Sequence, residues 1–314
     1  MHTRVVTHRA PQPWNQLSPH RARRVDLPGK YGPIAALQIK ARRAGPQAPV
    51  ALLMPGYTGS KEDFAPLLDP ISDEGFDAIA IDLPGQYESM GPDDESAYLP
   101  SSLGLVVADL VAKLNADGHQ VLLLGHSYGG LVARAAVLAG ARIVGLTLVD
   151  SGPAELPQGW RRQALDIGEP AIRQYGMEAA LKLRDTLDAN NPAWVAHPPQ
   201  LKAFLRTRFM RSSPAGLLGM AHGLRTEPDL VGALARTLQT TGAQSLVMCG
   251  EGDDAWPVSA QRDMADRLDA DFAVIRNARH SPNTENPEEL LYTLIPTWRT
   301  WLLYVEEWEH AIAA

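Results

Sequence analysis

Residues 121–130, VLLLGHSYGG, constrain this chain more than any other stretch. Val121, Leu122, Leu123 and Leu124 have the aliphatic density of a strand buried on both faces. Leu131 to Ala136 continue with small, helix-compatible residues. Gly125 and Gly129 flank Ser127, two positions on either side. The pattern is strand, tight turn, helix, with a serine at the apex, which is the G-x-S-x-G elbow. A serine held there has a strained backbone, and a side chain at either glycine would collide with neighbouring strands. The turn lifts the hydroxyl above the sheet. It also aims the Tyr128 amide, at the start of the helix, toward whatever bonds to that oxygen.

Further dense aliphatic runs of strand length lie at 50–54, 78–81, 143–149 and 245–248, with another candidate at 271–276. Helical stretches separate them, so a mostly parallel sheet with helices on both faces is expected. Residues 34–39 alternate and predict an exposed early strand, and 24–28 predict a first one. Residues 153–236 break the rhythm. They read as helices punctuated by Pro157, Pro170, Pro192, Pro198, Pro199, Pro214 and Pro228. An insertion between the strands ending near Asp150 and beginning near Ser245 would sit over the carboxyl ends of the strands, where ligands bind in open α/β sheets. The expected organisation is an arm (1–24), a core (25–152 and 237–314) and a helical cap (153–236). Leu217, Leu218, Met220 and Leu224 are candidates for an acyl pocket, but their spacing suits helix packing better.

The 314 residues carry a net charge of −7, which disfavours a nucleic-acid partner. Hydrophobic residues make up 45% and charged ones 21%, an ordinary soluble composition. A single cysteine, Cys249, excludes an intrachain disulfide and a cysteine-based metal site. The arm carries Arg4, Arg9, Arg21, Arg23 and Arg24 with no acid. It lacks the apolar run of roughly 7–15 residues of a secretory signal and the about 20 of a membrane span. It is expected to be a solvated tail on a cytoplasmic protein. The apolar C-terminal stretch 298–308 suits packing on the core, with a monomer or a homodimer both open.

A serine hydroxyl is a poor nucleophile until a base takes its proton, and the base needs an acid to hold its tautomer. On a parallel sheet both should lie just past strand ends, in the order serine, acid, histidine. After 245–248 the chain reads Gly250-Glu251-Gly252-Asp253-Asp254-Ala255-Trp256-Pro257. After 271–276 it reads Asn277-Ala278-Arg279-His280-Ser281-Pro282-Asn283. His280 is the predicted general base. The acid is Asp253 or its neighbour Asp254. Asp150 is a third candidate, although capping the Asp150-Ser151-Gly152 turn accounts for it locally. An acyl-transfer site also needs two donors for the developing oxyanion. The Tyr128 amide is one, and the Tyr57 amide, in the loop Met54-Pro55-Gly56-Tyr57-Thr58-Gly59-Ser60, is the best second.

Together these segments resemble the α/β-hydrolase fold superfamily over roughly residues 25–300. The loop at 54–60 is similar to the family's oxyanion loop, and Asp82-Leu83-Pro84-Gly85-Gln86 to its Asp-x-x-Gly turn. Gly250-x-x-Asp253-x-x-x-Pro257 resembles its acid turn, which favours Asp253 over Asp254. His280 to Pro287 resemble its histidine segment, with Glu285 in a supporting place. The resemblance implies an eight-stranded, mostly parallel sheet and a helical cap. Two departures stand out. Pro55 replaces the usual histidine and has no amide to donate. Gln86-Tyr87-Glu88 replaces a glycine-rich continuation, so that loop is expected to help form the pocket, with Tyr57, Tyr128 and Trp256 as aromatic walls.

A serine nucleophile disfavours the dehalogenase and epoxide hydrolase chemistry that uses aspartate there. The expected reaction is hydrolysis of a carboxylic ester, thioester or lactone of a small to medium apolar acyl substrate through an acyl-enzyme on Ser127. No metal or organic cofactor is needed. Carbon–carbon bond hydrolysis and cofactor-free perhydrolysis would use the same triad. A non-catalytic binding protein of the same fold is a third reading.

Overall fold

The computed structural model describes residues 14–43, 45 and 47–313, with the backbone alone for 305–313. Strands β1 (Arg23–Leu27), β2 (Ile34–Ile39) and β3 (Val50–Met54) open the chain. Helix α1 (Ala65–Asp73), β4 (Asp77–Ile81), α2 (Pro100–Ala116), β5 (Val121–His126), α3 (Tyr128–Leu138) and β6 (Gly145–Val149) follow. A helical excursion comes next: α4 (Trp160–Asp188), α5 (Pro192–Ala196), α6 (Pro199–Arg211) and α7 (Pro214–Thr226). The chain then returns through α8 (Val231–Thr241), β7 (Gln244–Gly250), α9 (Val258–Leu268), β8 (Asp271–Ile275), α10 (Pro282–Glu285) and α11 (Pro287–Ala313).

The eight strands form one sheet in the order β1-β2-β4-β3-β5-β6-β7-β8. β2 pairs antiparallel with β1 and β4, and all pairings from β4 to β8 are parallel. Parallel strands need covering on both faces. In β3 the alternation is visible residue by residue. Val50, Leu52 and Met54 join the core under α2, α3, α8 and α9, while Ala51 and Leu53 join the core under α1 and α11. Trp298 of α11 is fully buried on that second face. Its ring meets Phe76 edge-on at 5.6 Å, and its indole N–H donates to Thr147 Oγ1 at 3.0 Å.

Three details differ from the sequence reading. Residues 34–39 are not an exposed strand: all but Gln38 are buried, because Ile34 and Ala36 join the core on one face of the sheet and Leu37 and Ile39 the core on the other. The described part of the arm is not a solvated tail. The Arg21 guanidinium pairs with Asp73 of α1 at 2.7 Å, and Gln16 Nε2 donates to Asp63 at 3.0 Å. Residues 1–13 lie outside the described residues. The boundary expected at 236/237 falls inside α8, which packs against α3 and α9 of the sheet layer. Among the described residues no helix is long and apolar enough to cross a membrane. In the C-terminal stretch Trp298 and Trp301 pack on the core as expected, whereas Leu303 and Tyr304 are exposed.

Removing a buried indole leaves a cavity that a parallel sheet cannot close. Trp298→Ala should cost about 3–5 kcal/mol of unfolding free energy by chemical denaturation. A loss below roughly 1 kcal/mol would remove α11 as the clamp on that face.

Candidate active site

Ser127 joins β5 to α3 with φ 55° and ψ −120°, an unusual conformation for a residue with a side chain. Its amide donates to the Val149 carbonyl of β6 at 2.8 Å, which fixes the turn to the neighbouring strand. The turn closes only because its flanks are bare. A Cβ on Gly129 would sit 2.5 Å from the Met54 carbonyl oxygen, and one on Gly125 would strike the Gly129 backbone. Across the gap, a Cβ on Gly56 would sit 2.9 Å from Ser127 Cβ. That glycine lets the 54–60 loop lie against the serine.

The three residues expected to act together meet in one line. His280 Nε2 lies 2.9 Å from Ser127 Oγ, and His280 Nδ1 lies 2.7 Å from Asp253 Oδ1. Asp253 is held by the Ala255 amide at 2.9 Å and by Gln261 Nε2 at 2.7 Å. Burial pushes the His280 pKa below its ordinary 6.5, against the upward pull of Asp253. The ring is therefore neutral near pH 7. Burial pushes the Asp253 carboxyl up, but its bonds to His280 and Ala255 outweigh this and keep it below the usual aspartate range.

The two competing acids have other work. Asp254 accepts from Trp160 Nε1 at 2.9 Å and Arg161 Nε at 2.7 Å, and so fastens α4 to the β7 loop. Asp150, at φ 46°, receives the Gly250 amide at 3.0 Å. Burial and the nearby Asp253 charge raise its pKa well above the ordinary value. Asp150, Asp253 and His280 bring three potential ligand atoms within 4.8 Å of one another. Two of these atoms, on Asp253 and His280, already bond each other.

Neither the Tyr57 nor the Tyr128 amide donates to an acceptor among the described residues. Pro55 leaves this loop intact, because Gln86 braces it from below. Gln86 Nε2 donates to the Gly56 carbonyl at 2.8 Å, while its Oε1 receives the Leu83 amide at 3.0 Å. Gln86 and Tyr87 do not line the cavity, contrary to expectation. Tyr57 and Trp256 do, whereas the Tyr128 hydroxyl turns away to the Tyr98 carbonyl. Of the four α7 candidates only Leu224 reaches the cavity, and the others pack in the core.

Several supporting residues escaped the sequence reading. His126 Nε2 bonds the His280 carbonyl at 2.6 Å, and its ring lies 5.2 Å from that of His280. Burial and the adjacent imidazole lower its pKa to about 4, so it stays neutral. Asp63 receives Arg208 of α6 at 2.7 Å and Gln16 at 3.0 Å, and its carbonyl accepts Asn283 Nδ2 at 2.6 Å. Adjacency of His126 to Ser127 was the only sequence signal for any of these.

The cavity above Ser127 has a volume of about 370 Å³. Leu156, Leu165, Ile172, Phe209 and Trp256 form apolar walls, and α4 and α6 cover it. That size lies within the usual range for small-molecule sites.

The profile of the "Alpha/beta hydrolase family" matches residues 51–291, and the chain belongs to this family. No curated protein matches it in sequence. Solved structures agree with the fold. A thermophilic esterase from Thermogutta terrifontis aligns with a TM-score of 0.66 and 23% identity, over 90% of this chain and 99% of that one. A structure from a study of carboxylesterases of the thaumarchaeon Nitrososphaera gargenis aligns with a TM-score of 0.69 and 16% identity, over 88% and 99%. The enol-lactonase from Burkholderia xenovorans LB400 aligns with a TM-score of 0.67 and 20% identity, over 86% and 96%.

The two histidines should titrate far apart from a solvent-exposed imidazole. Ring NMR should place His280 below 6.5 and His126 at about 4. Either ring titrating at or above 6.5 would contradict the burial that sets both shifts.

Proposed function

We propose that the protein is a serine hydrolase that cleaves a carboxylic ester or a related acyl bond, such as a thioester or lactone. The observation that carries this is the unbroken line from Ser127 through His280 to Asp253. Two backbone amides without acceptors flank it. Neighbouring structures described as esterases and an enol-lactonase support the same reaction class. Helices α4–α7 act as the cap, and the small acyl substrate sits between them and Ser127.

Neutral His280 takes the Ser127 proton through Nε2 as Oγ attacks the substrate carbonyl. Its Nδ1–H keeps donating to Asp253 Oδ1, which stabilises the imidazolium without taking the proton. The Tyr57 and Tyr128 amides receive the oxyanion. His280 then protonates the leaving group. Water, deprotonated by the same ring, resolves the acyl-enzyme and returns the proton to Ser127. Every step is a proton transfer, an addition to a carbonyl or the collapse of a tetrahedral intermediate that breaks the bond to the leaving group or to Ser127 Oγ, so the reaction proceeds without a metal or organic cofactor.

The first test is turnover of p-nitrophenyl esters from acetate to dodecanoate, wild type beside Ser127→Ala. Wild-type turnover should fall by about 10⁴-fold or more in the variant, while the fold persists. Turnover that survives in Ser127→Ala would remove Ser127 as the nucleophile. The wild-type rate should rise with pH through a single ionisation below 6.5, because the deprotonated ring is the active form.

The acid assignment has its own test. Asp253→Asn presents the wrong partner to His280 Nδ1 and should cost roughly 10⁴-fold in kcat. Asp254→Asn loosens a half-buried tie to α4 and should cost less than about tenfold. The reverse order would transfer the role to Asp254.

A further inference from the structure

Resting on the hydrolase reading, we infer that the cavity holds an anion subsite, built from Arg184 and the Tyr57 hydroxyl, and that the acyl substrate carries a carboxylate. The cavity is lined by three arginines, Arg161, Arg184 and Arg208. Two are committed. Arg161 pairs with Asp254 at 2.6 Å, and Arg208 pairs with Asp63 at 2.7 Å. Arg184 differs. Its nearest carboxylate is Asp188 on its own helix, with Nε 3.6 Å from Oδ2, beyond hydrogen-bond length. Neither Nη1 nor Nη2 of Arg184 donates to an acceptor among the described residues.

An arginine in such a place is not at rest. Its side chain keeps 31% of its surface open. The guanidinium lies 5.5 Å from the Phe209 ring centroid and 6.0 Å from that of Trp194, within reach of their π faces. Those rings hold the planar group without satisfying its donors. Burial and the neighbouring Arg208 cation work against its charge. The guanidinium therefore opens to the cavity, where its planar fork of N–H groups matches a carboxylate bidentately. The second donor stands on the same wall system. The Tyr57 hydroxyl makes no hydrogen bond among the described residues, and burial raises its pKa to about 12. It remains a donor at any working pH. Tyr57 and Arg184 line the same cavity, and each lies within electrostatic reach of the other.

The apolar walls between these ends, Leu165, Ile172 and Phe209 among them, suit a methylene chain. The substrate class is then an ester, thioester or lactone of a dicarboxylic or carboxyl-terminated acyl group. An uncharged acyl chain would reach Arg184 with nothing to offer five donors.

The experiment compares p-nitrophenyl hemiesters of adipic, pimelic and suberic acid with neutral p-nitrophenyl alkanoates of matching length. The wild type should favour the hemiester in kcat/KM by about tenfold or more. Arg184→Met should erase most of that ratio, and Arg184→Glu should invert it. Neutral-ester turnover in the same variants reports on an intact site. Equal kcat/KM for the two series in the wild type, or a ratio unmoved in both variants, would overturn the subsite. A second measurement does not need turnover: thermal shifts of Ser127→Ala with free adipate or suberate, against equal sodium chloride. Stabilisation by the diacids that disappears in the Ser127→Ala, Arg184→Met double variant supports the subsite, even if no ester is cleaved and the hydrolase reading falls. Absence of any diacid shift, together with no turnover, overturns the subsite.

Discussion

Close approach of backbone to backbone around Ser127 is the constraint on which the rest of the structure depends. The serine sits at φ 55° because its amide is tied to Val149 and because Gly125 and Gly129 present no side chain to the strands beside them. Strain of this kind persists only where the surroundings over-determine it. Here they do so from three sides: β3 through Met54, β6 through Val149, and α3, which begins at the next residue. The parallel sheet is the device that brings three strand ends to one level. Without it the Ser127 hydroxyl, the β7 loop and the β8 loop would have no common edge at which to meet.

Polar groups placed under the site then fix what the sheet only brings near. His126 bonds the carbonyl of His280, Gln261 and the Ala255 amide bond Asp253, and Gln86 bonds the carbonyl of Gly56. Each holds a different member of the constellation, and each is buried. The neighbouring carboxyls of Asp150 and Asp253 are pushed in opposite directions: burial and the Asp253 charge raise the pKa of Asp150, while the bonds to His280 and Ala255 hold that of Asp253 down.

Much of this was legible in the sequence, and the reason is periodicity and chain order. Aliphatic runs such as 121–124 and 50–54 announce buried strands by density alone. Ser127, Asp253 and His280 each follow such a run, so their convergence is a consequence of parallel topology. What stayed hidden has no local pattern. Ile34–Ile39 alternates like an exposed strand, yet both of its faces are covered by the cores on either side of the sheet. Gln86 reads as a turn residue until Gly56 is found against it. Asp63 gathers Gln16, Arg208 and the Asn283 side chain from three distant parts of the chain. Pairing across such separations leaves no trace in spacing. Arg184 is likewise one charge among many on its helix, until the looseness of its pairing with Asp188 and its place in the cavity wall become visible in three dimensions.

The way the inserted helices are fastened explains why polar residues gather at their seam. Arg161 of α4 reaches Asp254, Arg173 of α4 reaches Glu95, and Arg208 of α6 reaches Asp63. From the other direction Arg134 of α3 reaches Glu227, just beyond α7. The exposed Arg173–Glu95 pair contributes little stability, since water screens it. The buried Arg208–Asp63 and Arg134–Glu227 pairs cost desolvation that their attraction roughly offsets, and an apolar seam of equal volume would be at least as stable. Their value is directional. An apolar seam slides, whereas a guanidinium fork accepts its carboxylate in few orientations. The cavity above Ser127 keeps one shape only if its roof stays in one register, and α4 and α6 supply that roof. The ion pairs therefore set where the roof sits, and the apolar contacts of Leu217, Leu218 and Phe209 set how firmly it holds together.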